Sequence, residues 1–124
     1  MGRPRQFEEA EAVNAAAAVF RQRGYRSTSV DHLVAATGVH RGSLYGVFAS
    51  KHGLFMRALE AIDATSSSVE RLDLILVGLL ELAPADPQVR ERIARLLDTH
   101  GITEEQLGRR LLAHAGLHNR KVKQ

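Results

Sequence analysis

The chain has 124 residues, of which 44% are hydrophobic and only 5% aromatic, so we expect one modest, mainly aliphatic core built from helices. It has no cysteine, which excludes disulfides and thiolate metal sites, and neither its start nor its short apolar runs predict a secretory signal or a membrane span. A cytoplasmic protein without membrane contact is therefore expected. The net charge of +3 is uneven: residues 1–57 carry eight Arg and Lys against four acids, and residues 58–124 carry nine against ten. A basic half is typical of a face that meets phosphate, and ordinary surface charge is the alternative.

The first predicted elements are a basic arm and an amphipathic helix. Arg3 and Arg5 flank Pro4 in an arm that could enter a DNA minor groove, although a disordered terminus fits equally well. A helix is predicted from about Phe7 to Arg23, and Gly24 follows as the residue that ends it. The apolar side of this helix consists of Val13, Ala16, Ala17 and Phe20.

Two short helices and the turn between them follow, and they organise the chain. Ser29 can cap the first helix, and Gly38 can adopt the left-handed conformation that a tight turn needs. The second helix is predicted from about His40 to Phe48. The inward residues are Val30, Leu33 and Val34 on the first helix, and Val39, Leu44 and Phe48 on the second. The outward residues are His40, Arg41, Gly42, Ser43 and Tyr45. This pattern predicts a helix-turn-helix, in which the start of the second helix enters the DNA major groove.

Four further helices are predicted after this motif. Ser50 caps the first of them, and Lys51 stands at its positively polarised start, where a phosphate contact would explain it; a tolerated exposed lysine is the alternative. The small polar residues 64–68 mark the clearest break in the chain. The helix predicted at about 69–82 is apolar on all sides, so a second copy of the chain is expected to cover part of it.

The last two predicted helices have clear start signals. Asp86 caps one whose first residue is Pro87, and Thr103 opens a capping box with Gln106 for the other. The inner side of the last helix is predicted to consist of Leu107, Leu111, Leu112 and Ala115. Three short helices beyond residue 64 enclose a drug-sized pocket of roughly 300 Å³ poorly unless a partner chain contributes.

No catalytic pattern is present in the sequence. It contains no G-x-S-x-G, no H-E-x-x-H and no phosphate-binding loop, so we predict neither an enzyme nor a cofactor. His114 and His118 have a spacing that can bind Zn²⁺, but surface histidines are the better interpretation, and no metal site is predicted.

Three stretches of the sequence together point to a family. The run GRPR, a helix ending in FRQRGY, and the segment STSVDHLVAATGVHRGSLYGVFASKHGLF resemble the DNA-binding domain of TetR-family (tetracycline-repressor) regulators over about residues 2–62. The resemblance implies a three-helix DNA-binding domain, a linking helix and an all-helical domain that dimerises and binds a small effector. It also implies that Arg41 and Gly42 approach bases, that Tyr45 contacts a phosphate or a thymine methyl, and that Lys51 meets the DNA backbone. Gly46 and Val47 depart from the family pattern of an aromatic and a histidine, so those contacts are lost or replaced.

We therefore predict a DNA-binding domain at residues 1–50, and a linking helix with a shortened helical dimerisation or regulatory domain at residues 51–124. The predicted DNA contacts are Arg3, Arg5, Ser29, His40, Arg41, Gly42, Ser43, Tyr45 and Lys51. The predicted function is a repressor that binds a palindromic operator in double-stranded DNA as a homodimer, with release by a small effector left open. The alternative is a protein-interaction module that keeps the scaffold, pairs with another regulator and binds DNA weakly.

Overall fold

The computed structural model describes residues 7–63 and 65–117, and these residues form seven α-helices and no strand. The predicted all-α fold is therefore confirmed. The helices are α1 (Glu9–Arg23), α2 (Val30–Thr37), α3 (Arg41–Phe48), α4 (Lys51–Glu60), α5 (Ser68–Glu81), α6 (Pro87–His100) and α7 (Glu104–His114). Within the described ranges, no helix has both the length and the apolar character needed to cross a bilayer.

Four helices, α2, α4, α6 and α7, begin where the sequence predicts them, because their capping side chains form the expected bonds. The side chains of Ser29, Ser50, Asp86 and Thr103 each accept a hydrogen bond from a backbone N–H in the first turn of the following helix. Such caps satisfy donors that the helix itself cannot pair.

The chain folds as two compact units, residues 1–63 and residues 64–124. The predicted domain boundary at residues 50 and 51 lies before α4, whereas the first compact unit includes that helix. The difference arises because α4 packs on both α1 and α3 and contributes buried side chains such as Leu54 and Phe55 to the same core. The break predicted at residues 64–68 coincides with the start of the second unit.

An aromatic cluster fixes the loop between α1 and α2 to the core of the first unit. The ring centroids of Phe20 and Phe55 are 5.1 Å apart in an edge-to-face arrangement, and the Tyr25 ring lies 5.8 Å from Phe20 and 5.4 Å from Phe55. Such contacts add to the stabilisation that burial of the rings provides. The Tyr25 ring thus packs against the core, and the loop that precedes α2 has a fixed place.

In the second unit, α5 packs against both α6 and α7. The Arg110 guanidinium of α7 donates two hydrogen bonds to the Asp73 carboxylate of α5, at 2.6 and 3.1 Å. The hydrogen bond to the Asp73 carboxylate raises the pKa of Arg110. A two-point contact of this kind fixes the rotation of α7 about its axis as well as its position.

The predicted inner side of α7 is wrong for three of its four residues, and only Leu107 is half-buried. Leu111 and Leu112 are 40% and 45% exposed, Ala115 is also exposed, and α7 has no buried residue. Because Arg110 faces α5, Leu111 and Leu112 lie about 100° and 200° further around the helix and cannot face α5 as well. The side chains of Leu111 and Leu112 are therefore left on the surface of this chain.

Candidate nucleic-acid interface

The start of α2 is closed by a reciprocal pair of hydrogen bonds. The Ser29 hydroxyl oxygen accepts from the His32 backbone N–H at 3.1 Å, and the Ser29 backbone N–H donates to His32 Nδ1 at 3.0 Å. Sequence reasoning predicted the Ser29 cap but missed His32, because a capping box normally has Glu or Gln at that position. An imidazole nitrogen in its neutral form accepts in the same way.

The turn between α2 and α3 is held by Thr37, Gly38 and Val39. Gly38 has φ +71° and ψ +14°, the predicted left-handed conformation, and its N–H donates to the Val34 carbonyl at 2.9 Å. The Thr37 hydroxyl donates to the Leu33 carbonyl at 2.8 Å and accepts from the Val39 N–H at 3.2 Å. Because Val39 is buried, the turn is anchored to the core and sets the direction in which α3 leaves α2.

One side of α3 is buried against the core of the first unit, and the residues at the start of the helix are exposed. Leu44 and Phe48 are buried, as predicted, and Tyr45 is half-buried. The exposed residues at the start of the helix are His40, Arg41, Gly42 and Ser43. The helix begins without a side-chain cap and has no acidic residue in its first turn, so its positive end faces outward uncompensated.

Gly42 has no structural role that its own chain explains. A methyl group at this position would meet no atom within 4 Å, and the same holds for Gly46 one turn later. Gly42 is helical rather than left-handed, so neither packing nor backbone conformation requires glycine here. The missing side chain therefore leaves space on the outer side of α3.

The junction between α3 and α4 is unusually tight, which the sequence did not reveal. Ala49 adopts φ +72°, and the Ser50 N–H donates to the Phe48 carbonyl at 2.8 Å across it. A methyl group at Gly53 would overlap the same Phe48 carbonyl oxygen. The chain therefore turns from α3 into α4 within very little space, and this fixes α3 against the core.

The Lys51 side chain contacts the loop between α1 and α2 in the first unit. Its Nζ donates to the backbone carbonyls of Tyr25 and Thr28, both at 3.1 Å, and lies 4.4 Å from the centroid of the Tyr25 ring. The predicted phosphate contact of Lys51 stays a prediction, and sequence reasoning missed these contacts because they join residues more than twenty positions apart.

The structure describes only some of the other residues considered in the sequence analysis. Arg3 and Arg5 lie outside the described residues, and Ser29 is exposed at the start of α2. His114 is exposed at the end of α7, and His118 lies outside the described residues. In the part of the chain that the structure describes, no three His, Cys, Asp or Glu side chains form a group that could hold a metal ion.

The family profile "Bacterial regulatory proteins, tetR family" matches residues 12–58, which include most of α1, the helix-turn-helix and most of α4. Residues 12–58 therefore form a TetR-type helix-turn-helix domain. The match covers the same helices that the sequence resemblance identified, so that resemblance is confirmed. In this TetR-type domain, buried side chains hold α3 against the core, and the residues at the start of α3 are exposed.

Three curated relatives of the chain are transcriptional repressors by name. The chain is 39% identical over 66 residues to the HTH-type transcriptional repressor BdcR of Escherichia coli, which is 53% of this chain and 34% of that protein. It is 42% identical over 59 residues to ComR of the same organism, 48% of this chain and 28% of ComR. It is 34% identical over 83 residues to KstR2 of Mycobacterium tuberculosis, 57% of this chain and 42% of KstR2. The matched stretch thus spans well under half of each relative, and no solved structure matches the chain significantly.

Proposed function

We propose that this chain is a sequence-specific DNA-binding transcriptional regulator, most simply a repressor, that inserts the start of α3 into the DNA major groove. The observation that carries the proposal is the combination on α3 of a buried rear and an exposed, uncapped start. A helix held in this way can present side chains to base edges without unfolding or rearranging. The names of BdcR, ComR and KstR2 as HTH-type transcriptional repressors support the same function.

In this proposal, the residues on the outer side of α3 have different roles, which depend on the hydrogen-bonding groups of their side chains. Arg41 can donate two hydrogen bonds to the O6 and N7 acceptors of a guanine, the commonest specific contact in the major groove. His40, Ser43 and Tyr45 can donate to phosphate oxygens, as Ser29 can from the start of α2. Gly42 allows the helix backbone to approach a base edge closely.

Arg41→Ala is expected to weaken binding to a specific operator by about 1–3 kcal/mol and to relax base preference at one position of each half-site. Because Arg41 is exposed, the unfolding midpoint should not change. Fluorescence anisotropy with a labelled duplex measures the effect. Arg95→Ala is the control, since Arg95 is an exposed α6 residue whose ion pair is with Glu91, four residues earlier on the same helix. Equal operator affinity for the Arg41 variant and the wild type would remove Arg41 from the interface.

Gly42→Ala is expected to move folding stability and DNA affinity in opposite directions. The methyl group meets open space in the free protein, so the helix should gain about 0.5–1 kcal/mol of stability. In the complex, the same group would hold α3 off the base edges, and a loss of about 1.4 kcal/mol would lower affinity tenfold.

The control for this pair of measurements is Gly108→Ala, because Gly108 is also exposed, helical and free of neighbours. It should raise stability without changing affinity. An unchanged affinity of the Gly42 variant would show that α3 does not need a close approach at this position.

The proposal includes a homodimer formed through the second unit. Among the described residues, the exposed large hydrophobic side chains all belong to this unit: Val69, Leu80, Leu111, Leu112 and Leu117. Apolar surface of this extent favours association with another polypeptide. Two copies would place two α3 helices about 34–36 Å apart, or a multiple of that distance, on a palindromic operator. Release by a small effector is what the family implies, and it stays a prediction.

The exposed apolar side chains of the second unit also favour the second candidate, an interaction module that pairs with another regulator and binds DNA weakly. Titration of mixed-sequence duplex DNA over a salt series separates the two candidates. A DNA-binding regulator should lose affinity steeply with salt, with a slope of about −0.9 per phosphate contact in a plot of log K against log salt. Weak binding with a shallow slope at every salt concentration would favour the interaction module.

A further inference from the structure

Phe48, the last residue of α3, is one of the two buried side chains by which this helix is held in the first unit. The other is Leu44, and the two residues are 4% and 0% exposed. They lie four positions apart, so they share one side of the helix and are separated by about 6 Å along its axis. The second buried side chain limits pivoting of α3 about the first. The placement of the Phe48 ring therefore affects the direction in which the exposed start of α3 points.

Two other parts of the first unit contact the Phe48 ring. The centroid of the Phe7 ring, just before α1, lies 6.4 Å from that of Phe48, with the rings tilted by 42°. The Arg57 guanidinium of α4 lies 5.3 Å from the Phe48 centroid, within range of a cation–π interaction. The same guanidinium forms an ion pair with the Glu9 carboxylate of α1 at 3.2 Å. Arg57 is thus joined both to the start of α1 and to the end of α3.

The ion pair between Arg57 and Glu9 restricts geometry more than it adds to folding stability. The two side chains are 42% and 28% exposed, and ion pairs that water reaches contribute little to the free energy of unfolding. However, a planar guanidinium that contacts a carboxylate and an aromatic ring at once has few orientations available. Loss of Arg57 should therefore widen the range of positions open to the Phe48 ring while the domain stays folded.

We propose that Arg57 is a positioning residue for DNA recognition: together with Glu9, it holds the Phe48 ring and so sets the angle at which α3 enters the major groove. This inference rests on the proposed DNA-binding function. A change in the angle of α3 would weaken contacts to base edges, which require a strict geometry, more than contacts to phosphates, which recur along any sequence. Arg57 therefore contributes to the preference for one sequence over another.

The test compares two duplexes of equal length, one recovered by selection from random DNA and one of mixed sequence. For Arg57→Gln, the ratio of the affinity for the selected duplex to that for the mixed duplex should fall about fivefold, because a cation–π contact and a partly exposed ion pair are each worth a factor of up to about five. The matched control is Arg95→Gln, which removes one positive charge and an ion pair with Glu91 from α6. It should leave the ratio unchanged.

Glu9→Gln tests the same contacts with the opposite change in charge. It removes the carboxylate that pairs with Arg57 and makes the chain more positive, so electrostatic attraction alone predicts tighter binding to both duplexes. The positioning role predicts instead that the ratio of the two affinities falls, by a factor of about two. In the double variant, the ratio should fall by less than the product of the two single losses, because both changes remove one ion pair.

The ratio of the two affinities separates the outcomes. An unchanged ratio for Arg57→Gln overturns the positioning role; a lost phosphate contact would give that result, because it lowers both affinities alike and reduces the salt slope by about 0.9. An unchanged ratio for Glu9→Gln also overturns it, even if the Arg57 variant fails to fold. If the wild-type chain binds the selected and mixed duplexes equally, the proposed sequence-specific function itself fails, and the role of Arg57 fails with it.

Discussion

Gly53→Ala is expected to destabilise the first unit by about 3 kcal/mol, the upper range for inserting a methyl group into a closely packed place. The new methyl would overlap the Phe48 carbonyl oxygen and lie 3.1 Å from the carbonyl carbon. The obstacle is backbone rather than a flexible side chain, and the same carbonyl already accepts the Ser50 N–H across Ala49. Since Ala49 is held at a positive φ, the turn has little freedom to relax.

Denaturant unfolding followed by tyrosine fluorescence measures this effect. The chain has two tyrosines, Tyr25 and Tyr45, and no tryptophan, so the signal reports the first unit alone. Gly46→Ala is the matched control in the same unit, because its methyl meets open space and should raise stability by about 0.5–1 kcal/mol. If both variants shift the unfolding midpoint alike, the tight α3–α4 junction is not as described.

Leu80→Glu combined with Leu112→Glu is expected to convert a dimer into a monomer and to lower affinity for a palindromic duplex by about 100-fold or more. Leu80 is 61% exposed and Leu112 is 45% exposed, so neither glutamate should disturb the fold of the single chain. In a dimer, however, the charges would lose their hydration at the interface. The loss of affinity follows because two linked α3 helices bind one operator far more tightly than one does.

Sedimentation velocity measures the association state of this double variant, and anisotropy measures its affinity. Ala94→Glu is the control, because Ala94 is exposed on α6, where the described residues include no exposed large hydrophobic side chain. A wild-type chain that sediments as a monomer at tens of micromolar would contradict the homodimer. Dimers that persist in the double variant would place the interface on another surface.

The helices and the turn could be predicted from the sequence because their signals are local. Capping residues mark the helix starts, Gly38 marks the turn, and the alternation of buried Leu44 with exposed Arg41 and Gly42 marks the two sides of α3. Each of these features depends on residues within one or two turns of a helix, which is the distance over which a sequence pattern carries information.

The missed features depend on contacts between residues far apart in the chain. Lys51 reaches carbonyls in the α1–α2 loop, and Arg110 reaches Asp73, which decides the side of α7 that faces α5. The Gly53 contact with Phe48 is closer in sequence, but it depends on the positive φ of Ala49, and alanine gives no signal for that conformation. Sequence periodicity identified the apolar residues of α7 but wrongly assigned Leu111, Leu112 and Ala115 to the inner side.

Selection of bound duplexes from a random pool by the wild-type chain tests the central claim most directly, namely that α3 is displayed for the major groove and that two copies act together. The account predicts enrichment of a palindrome whose half-site centres lie about 10–10.5 base pairs apart or a multiple of that spacing. Recovery of a pool with no enriched sequence would contradict it.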